Sequence, residues 1–540
     1  MTALRPKRYI THGIILGCFI CYFNLTISSA ATDYWPTKGW RTSAPEEQGM
    51  QSGILTDMLK NIKEEDDAIE SITVIRNGYM VTDVYFYPFE KDTKHILHSC
   101  TKSITSALVG IALDRGYIKD VNEPILDFFP DQTIANLDGH KRAITLENLL
   151  TMSSGLQCRD SYLYTWKGLS EMMKSEDWAQ HVLDLPMAQS PGEKFEYCNG
   201  VSYLLSVIIQ KTTKMNTFDF ARRYLFEPLG ITDVKWPTSP QGINIGWGEM
   251  WLKPHDMAKL GWLYLNKGKW EDKQIVPEAW VEASTQGHIS STLFPRYGYQ
   301  WWVDASGYPL ALGYKGQYIY LVQEKNMVVV FTGDLLAGDF YKPRALLYKY
   351  IIPAAASSEP LPANPKDKAH LDFLSEMFAK APPQGFIWIS EKEGVAKNGI
   401  FVRTASPAFR FEYPKGSRKT GLTAPNQIMV MEIYPGGPTF QASVGDIPEG
   451  MKLDDVGPKA LAFALEGVGS NVKVLSNKEI TLKDGTKAYR TDIGWKWQSS
   501  FAVTTLSVSA FKDGKWVLLT THATRVPNEL APIVESLTFK

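Results

Sequence analysis

His95-Ile-Leu-His-Ser99-Cys-Thr-Lys102-Ser-Ile-Thr-Ser-Ala-Leu-Val-Gly110 is the stretch around which the chain is organised. Inside it Ser99 and Lys102 stand three positions apart. Residues at that spacing share one face of a helix, a single turn from each other, so the lysine amine can reach the serine hydroxyl. Ser103 to Leu113 is apolar enough for a buried helix, which places Ser99 in its first turn. There, unpaired backbone N–H groups and the helix dipole favour developing negative charge. A serine hydroxyl is a weak nucleophile at neutral pH and needs an adjacent base or cation. Lys102 can serve as either.

The S-x-x-K spacing is weak evidence by itself, because any helix start with a capping serine can produce it. It recurs at Ser509-Ala510-Phe511-Lys512, in a run that alternates like a strand, where the two side chains would not share a helical face. Partner motifs must decide, and the chain supplies two. Ser190 to Asn199 forms a turn and a short extended piece carrying Tyr197-Cys198-Asn199, followed by an apolar helix from Val201 to Gln210. Gly313-Tyr314-Lys315-Gly316-Gln317 leads into a strand pair, Tyr318 to Val322 and Met327 to Thr332, around Glu324-Lys325-Asn326. Glycines at a strand's start let backbone approach a ligand closely. Tyr264-Leu265-Asn266 repeats the Tyr-x-Asn spacing inside the helical run Asp256 to Leu265 and reads as packing.

The 540 residues, 44% hydrophobic and 12% aromatic, suffice for more than one domain with a substantial core. With 57 basic and 58 acidic residues the net charge is −1, which disfavours nucleic acid or an anionic surface as partner. Arg5, Lys7 and Arg8, an apolar run from Ile14 to Ile27, and Ser28-Ser29-Ala30-Ala31 read as a secretory signal, residues 1–31, cleaved near Ala30. Ile15-Leu16-Gly17-Cys18 also fits a lipoprotein-processing box, and an uncleaved anchor is the third option. The expected location is extracytoplasmic, periplasmic or secreted, with no stable membrane span after cleavage. Of five cysteines, Cys100, Cys158 and Cys198 would remain. The odd number leaves at least one thiol free; Cys100 and Cys198 sit in the two motifs, so a bond between them is conceivable beside the reading of all three as small apolar residues. Outside the signal segment, which holds Cys18-Phe19-Ile20-Cys21, no C-x-x-C or H-E-x-x-H pattern suggests a metal.

Gly53 to Lys63 has helical spacing, and Ser71 to Val81 reads as a hairpin around Asn77-Gly78. Thr145 is placed to cap a short helix. The aromatic residues Tyr162, Tyr164, Trp166 and Trp178 read first as core. Residues 353–366, proline-rich and polar, form a stiff linker. Residues 367–540 then carry strand-like runs at Ile400 to Arg403, Phe409 to Tyr413, Ile428 to Tyr434, Val472 to Thr481, Ala488 to Ile493, Phe501 to Phe511 and Trp516 to Val526. Helical segments are expected near 456 to 468 and 528 to 536. The reading is a smaller α+β domain.

With the three motifs in this order, residues about 44 to 352 resemble the serine beta-lactamase and penicillin-binding-protein superfamily. They look most like its class C branch, which includes esterases, D-amino-acid peptidases and 6-aminohexanoate-dimer hydrolases. Asp114 to Ile118, Leu149 to Leu156, Glu227 to Ile231 and Asp256 to Gly261 fit that branch as well. The resemblance implies an α/β beta-lactamase/transpeptidase-like domain over residues 32–352, an antiparallel sheet flanked by helices with a helical subdomain. It also implies catalysis without a cofactor: Ser99 as nucleophile, Lys102 and Tyr197 sharing acid-base work, Asn199 supporting them, and an oxyanion hole from the backbone N–H groups of Ser99 and Gln317.

Where the superfamily has S-D-N and K-T-G, this chain has Tyr-Cys-Asn and Tyr-Lys-Gly. A literal Lys419-Thr420-Gly421 lies in the second domain, outside the required context. Tyr314 replaces the lysine that holds the carboxylate of a beta-lactam, and strand alternation would turn Lys315 to the other face. The implied substrate is therefore a small ester, amide or peptide. A non-catalytic sensor or binding protein and a beta-lactamase or D-alanyl peptidase are the alternatives; a Ser-His-Asp hydrolase lacks its G-x-S-x-G elbow, and His98 reads as packed. The sheet of the second domain resembles the small sandwiches of the PsbP and Mog1 type, which implies binding or positioning.

Overall fold

A computed structural model of the chain describes residues 34–540 apart from 66–67, 161–165, 336–338, 381–393, 398–399, 404–405, 414–417, 420–426, 433–438, 448, 457, 459–468, 498–500, 524–530 and 540. The signal segment, Tyr162, Tyr164, the Thr420-Gly421 pair and nearly all of the helix expected near 456 to 468 lie outside the described residues.

The first core is built on a nine-stranded sheet. In chain order the strands of this region are β1 (Arg41–Thr42), β2 (Ile69–Arg76), β3 (Tyr79–Tyr85), β4 (His95–Ile96), β5 (Trp251–Leu252), β6 (Lys269–Trp270), β7 (Lys273–Gln274), β8 (Ile289–Ser290), β9 (Arg296–Tyr297), β10 (Trp302–Val303), β11 (Pro309–Gly313), β12 (Gln317–Val322) and β13 (Met327–Gly333). The sheet runs β1-β3-β2-β13-β12-β11-β10-β9-β8, while β4 pairs with β5 and β6 with β7. It is antiparallel except for the short parallel pair of β1 with β3.

Local chemistry explains the two hairpins read from sequence. Asn77 and Gly78 both take positive φ, 52° and 78°, the geometry a two-residue turn between twisted strands demands. Asn326, at φ 46°, closes the β12–β13 connection. Both hairpins place runs of buried β-branched and aromatic residues at the sheet centre, where β13 pairs with β2.

Between β3 and β8 the chain makes most of its helices. The helix Cys100–Asp114 is almost entirely buried and packs on the helix Asn199–Thr213 and on β11 and β12. Leu146–Leu150 begins with a capping box, Thr145 accepting from the Asn148 N–H and Asn148 returning the bond. The helix Pro254–Leu265 lies on β2, β12 and β13. One segment departs from the expected boundary: the helix Pro365–Phe378, read as the head of the second domain, packs on the helix Ser52–Glu64, with Leu371 and Leu374 inside the first core. Its apolar positions are too sparse to form a core of their own and complete this one instead.

A second hydrophobic core spans Phe401 to Phe539. Seven antiparallel strands, Arg418–Lys419, Gln427–Glu432, Thr439–Asp446, Gly469–Thr481, Lys487–Trp497, Phe501–Lys512 and Lys515–Ala523, form one of its sheets, and a four-stranded sheet completes it. Every expected run corresponds to a strand; Thr439–Asp446 and Gly394–Lys397 were not foreseen. Ser509 and Lys512 lie on a strand.

Candidate active site

Ser99 is the residue that precedes the helix Cys100–Asp114, already near helical dihedrals at φ −71° and ψ −6°. One turn on, Lys102 sends its Nζ back to the Ser99 Oγ at 3.0 Å. The spacing read from sequence therefore produces the contact it predicts. Two further acceptors hold the same nitrogen, Asn199 Oδ1 at 2.7 Å and the Trp247 carbonyl at 2.9 Å. From the other side the Tyr197 hydroxyl donates to Ser99 Oγ at 2.8 Å. The Lys102 ammonium also lies 4.8 Å from the Tyr197 ring centroid.

The partners of Lys102 determine what it can do. An amide oxygen and a peptide carbonyl accept hydrogen bonds and cannot donate them. Two of the nitrogen's positions are thereby committed to N–H. The third faces Ser99: a charged lysine donates there, and a neutral one presents a lone pair there. Lys102 is 1% exposed, and its burial pushes the amine well below the ordinary lysine range, against the pull of Asp160, Cys100 and Glu249. Burial thus favours the neutral form, the one able to take the serine proton.

Packing brings these groups together from distant parts of the chain. The β4–β5 pair and the bond from the Leu97 N–H to the Met250 carbonyl lay residues 247–252 beside the approach to Ser99. Thr105 Oγ1 donates to the Gly246 carbonyl, and a Cβ on Gly246 would sit 2.2 Å from the Ser202 carbonyl. The strip is thus clamped between the two central helices, which fixes the Trp247 oxygen.

Gly313 ends β11 so close to the serine turn that a Cβ there would lie 2.2 Å from the Leu97 carbonyl. The Gln317 carbonyl, at the start of β12, accepts from the Cys100 thiol at 3.3 Å. The third motif therefore abuts the nucleophile's own turn. Its geometry differs from the expected strand: Tyr314–Gly316 is a tight turn, with Lys315 at φ 64° and Gly316 at φ 95°. The Lys315 ammonium forms an ion pair with Asp334. Tyr314, partly exposed, meets the His98 ring edge-on at 5.7 Å. Burial and the Lys315 charge push His98 down to about 3, so its imidazole stays neutral.

The sequence left open a Cys100–Cys198 bond or three unpaired cysteines, and the structure makes a different arrangement. Cys158 is bonded to Cys198, their Cα atoms 5.5 Å apart, and Cys100 is a free buried thiol. Cys100 turns its sulfur to the Gln317 carbonyl.

Residues 63–347, just over half the chain, match the Beta-lactamase family. The chain belongs to that family. Among curated members, the 6-aminohexanoate-dimer hydrolase of Paenarthrobacter ureafaciens is 22% identical over 314 residues, 53% of this chain and 79% of the relative. The monacolin J acid methylbutanoyltransferase of Aspergillus terreus is 28% identical over 166 residues, 27% of this chain and only 39% of the relative. Among solved structures, a penicillin-binding-protein homologue from Caulobacter crescentus matches at 13% identity and a TM-score of 0.47, covering 58% of this chain and 98% of that one. The family match shows the beta-lactamase-like α/β fold expected for this region.

Beyond the family's motifs, further groups gather at the site. Trp302, not singled out in the sequence, stacks on Tyr197 at 5.8 Å and 19°, and Trp166, read first as core, approaches it edge-on at 6.5 Å. Trp178 is core, as read. Asp160, 3% exposed, accepts from the Asn199 N–H at 2.7 Å; burial pushes its carboxyl up to about 6, against the bonds from Asn199 and the Lys102 charge. Glu249, buried and at φ 63°, is pushed up to about 7 by burial. Each stands far from the motifs in sequence and outside any recurring pattern; the left-handed backbone at Glu249 and the Trp247 carbonyl carry no compositional signal at all.

Proposed function

We propose that the chain is a secreted serine hydrolase that cleaves a small ester or amide through a covalent acyl-enzyme. The observation that carries this reading is the Lys102 amine, buried, with two acceptor-only partners and its remaining position aimed at Ser99 Oγ. In the first half-reaction Ser99 attacks the substrate carbonyl and passes its proton to neutral Lys102. The N–H groups of Ser99 and Gln317 hold the oxyanion, each donor worth roughly 3 kcal/mol. Tyr197 protonates the departing alcohol or amine and recovers a proton from the Lys102 ammonium. Water then attacks the acyl-Ser99 ester, with Lys102 and Tyr197 working in reverse.

The names of two relatives support the reading, one a 6-aminohexanoate-dimer hydrolase and one a methylbutanoyltransferase. The Lys315–Asp334 ion pair and Tyr314 at the lysine position support substrates without a carboxylate held at the third motif. A disulfide in the first domain supports an oxidising compartment, and among the described residues no helix is long and apolar enough to cross a membrane. The test is turnover of p-nitrophenyl butyrate and nitrocefin by the pure chain and by Ser99→Ala. The butyrate ester should be hydrolysed well and nitrocefin poorly, with Ser99→Ala losing about 10³-fold or more. Turnover retained by Ser99→Ala refutes the assignment.

A further inference from the structure

The Tyr197-Cys198-Asn199 motif has no side-chain cap of its own. Asn199 opens the helix Asn199–Thr213, and Cys198, in the capping position, makes no side-chain capping bond to it. A helix start leaves N–H groups that need acceptors. Here the first is taken by a carboxylate from elsewhere: Asn199 N–H donates to Asp160 Oδ2 at 2.7 Å. Two residues before Asp160, Cys158 is bonded to Cys198, a separation of 40 residues in the chain. The same short segment therefore grips residues 198 and 199 twice, once covalently and once by a buried charge.

That grip lies between two site residues. On one side of Cys198, Tyr197 donates to Ser99 Oγ; on the other, Asn199 Oδ1 accepts from Lys102 Nζ. The segment packs tightly on the helix Lys167–Lys174, where a Cβ on Gly168 would fall 1.6 Å from the Cys158 carbonyl. Both cysteines are 2% exposed, so the bond is part of the packed interior.

Given the acyl-enzyme reading above, we infer that the Cys158–Cys198 disulfide and Asp160 form a positioning latch, which holds Tyr197 and Asn199 at the distances from Ser99 and Lys102 that proton transfer requires. The latch touches neither substrate nor the reacting atoms, and it acts through the two residues it fixes. The bonded form is the active one. Displacing a catalytic group by about 1 Å can lower turnover 10²-fold without removing any reacting group.

The experiment uses the full mature chain. Steady-state hydrolysis of p-nitrophenyl butyrate is measured for the disulfide-bonded protein, the double variant Cys158→Ser/Cys198→Ser, Asp160→Ala and Asp160→Asn, each with its thermal midpoint. The double variant and Asp160→Ala should lose about 10- to 100-fold in kcat with KM held within about threefold, the pattern of a lost transition-state interaction. Asp160→Asn keeps an oxygen for the Asn199 N–H and should recover most of kcat. Ser99-dependent turnover that is unchanged in a folded double variant overturns the latch alone. Should the double variant not fold, Asp160→Ala decides: wild-type kcat there overturns it, and a kcat loss rescued by Asp160→Asn upholds it. Absence of Ser99-dependent turnover from the bonded wild type removes the hydrolase reading and the latch together.

Discussion

Lys102 decides the chemistry because of its partners more than its identity. Asn199 Oδ1 and the Trp247 carbonyl accept its N–H groups, and Ser99 Oγ is the one partner able to give a proton. Replacing Lys102 by Arg keeps a cation but not a base, since a guanidinium does not deprotonate. Lys102→Arg and Lys102→Met should both lose about 10³-fold in kcat/KM for p-nitrophenyl butyrate, within the usual span for a lost general base. The pH dependence follows in sign. The reactive form is the neutral amine, whose fraction rises with pH through the depressed Lys102 value. The wild-type kcat/KM should therefore climb from acid pH and level off below the ordinary lysine range; a profile still rising steeply through that range would show Lys102 to be charged at rest.

At the level of elements, the legible part of the chain was whatever rests on spacing. Ser99 and Lys102 lie one helical turn apart, Asn77-Gly78 turns a hairpin, and Thr145 caps its helix, all from local rules. Strand alternation does not extend to Lys315: Tyr314–Gly316 is a tight turn, where Lys315, at φ 64°, pairs with Asp334. Thr439–Asp446 escaped because small Ala442, Ser443 and Gly445 dilute its alternation, although Phe440 and Ala442 are fully buried. Asp160, Trp247 and the Cys158–Cys198 bond follow only from long-range packing. The third motif yields a test of that packing. Gly313→Ala would drive a methyl group onto the Leu97 carbonyl and push β11 away from the serine turn. It should lower thermal stability by about 1–3 kcal/mol, the usual penalty of overpacking, and kcat by about 10²-fold. Unchanged kcat would show that the two segments need not touch.

At the scale of the whole molecule, two hydrophobic cores share no residue among those described, the buried residues of one ending at Leu374 and those of the other beginning at Phe401. The helix Pro365–Phe378 belongs to the first, so a chain ending after residue 352 loses a helix that covers the Ser52–Glu64 helix. Removing Leu371 and Leu374 should cost about 3–6 kcal/mol, at roughly 1.5–3 kcal/mol per buried side chain. A chain ending at residue 380 should unfold near the wild-type first transition and keep Ser99-dependent turnover. A chain ending at 352 should unfold well below it. Equal midpoints for the two would place the boundary where the linker composition suggested.

The central claim is that Ser99 carries the acyl group, and one measurement addresses it directly. The full chain is mixed with p-nitrophenyl butyrate, quenched in acid within the first turnovers, digested and mapped by mass. The account predicts a butyryl group on the peptide containing Ser99, absent from Ser99→Ala. An acyl group on a different residue, or rapid turnover with no acylated peptide at any time, would contradict it.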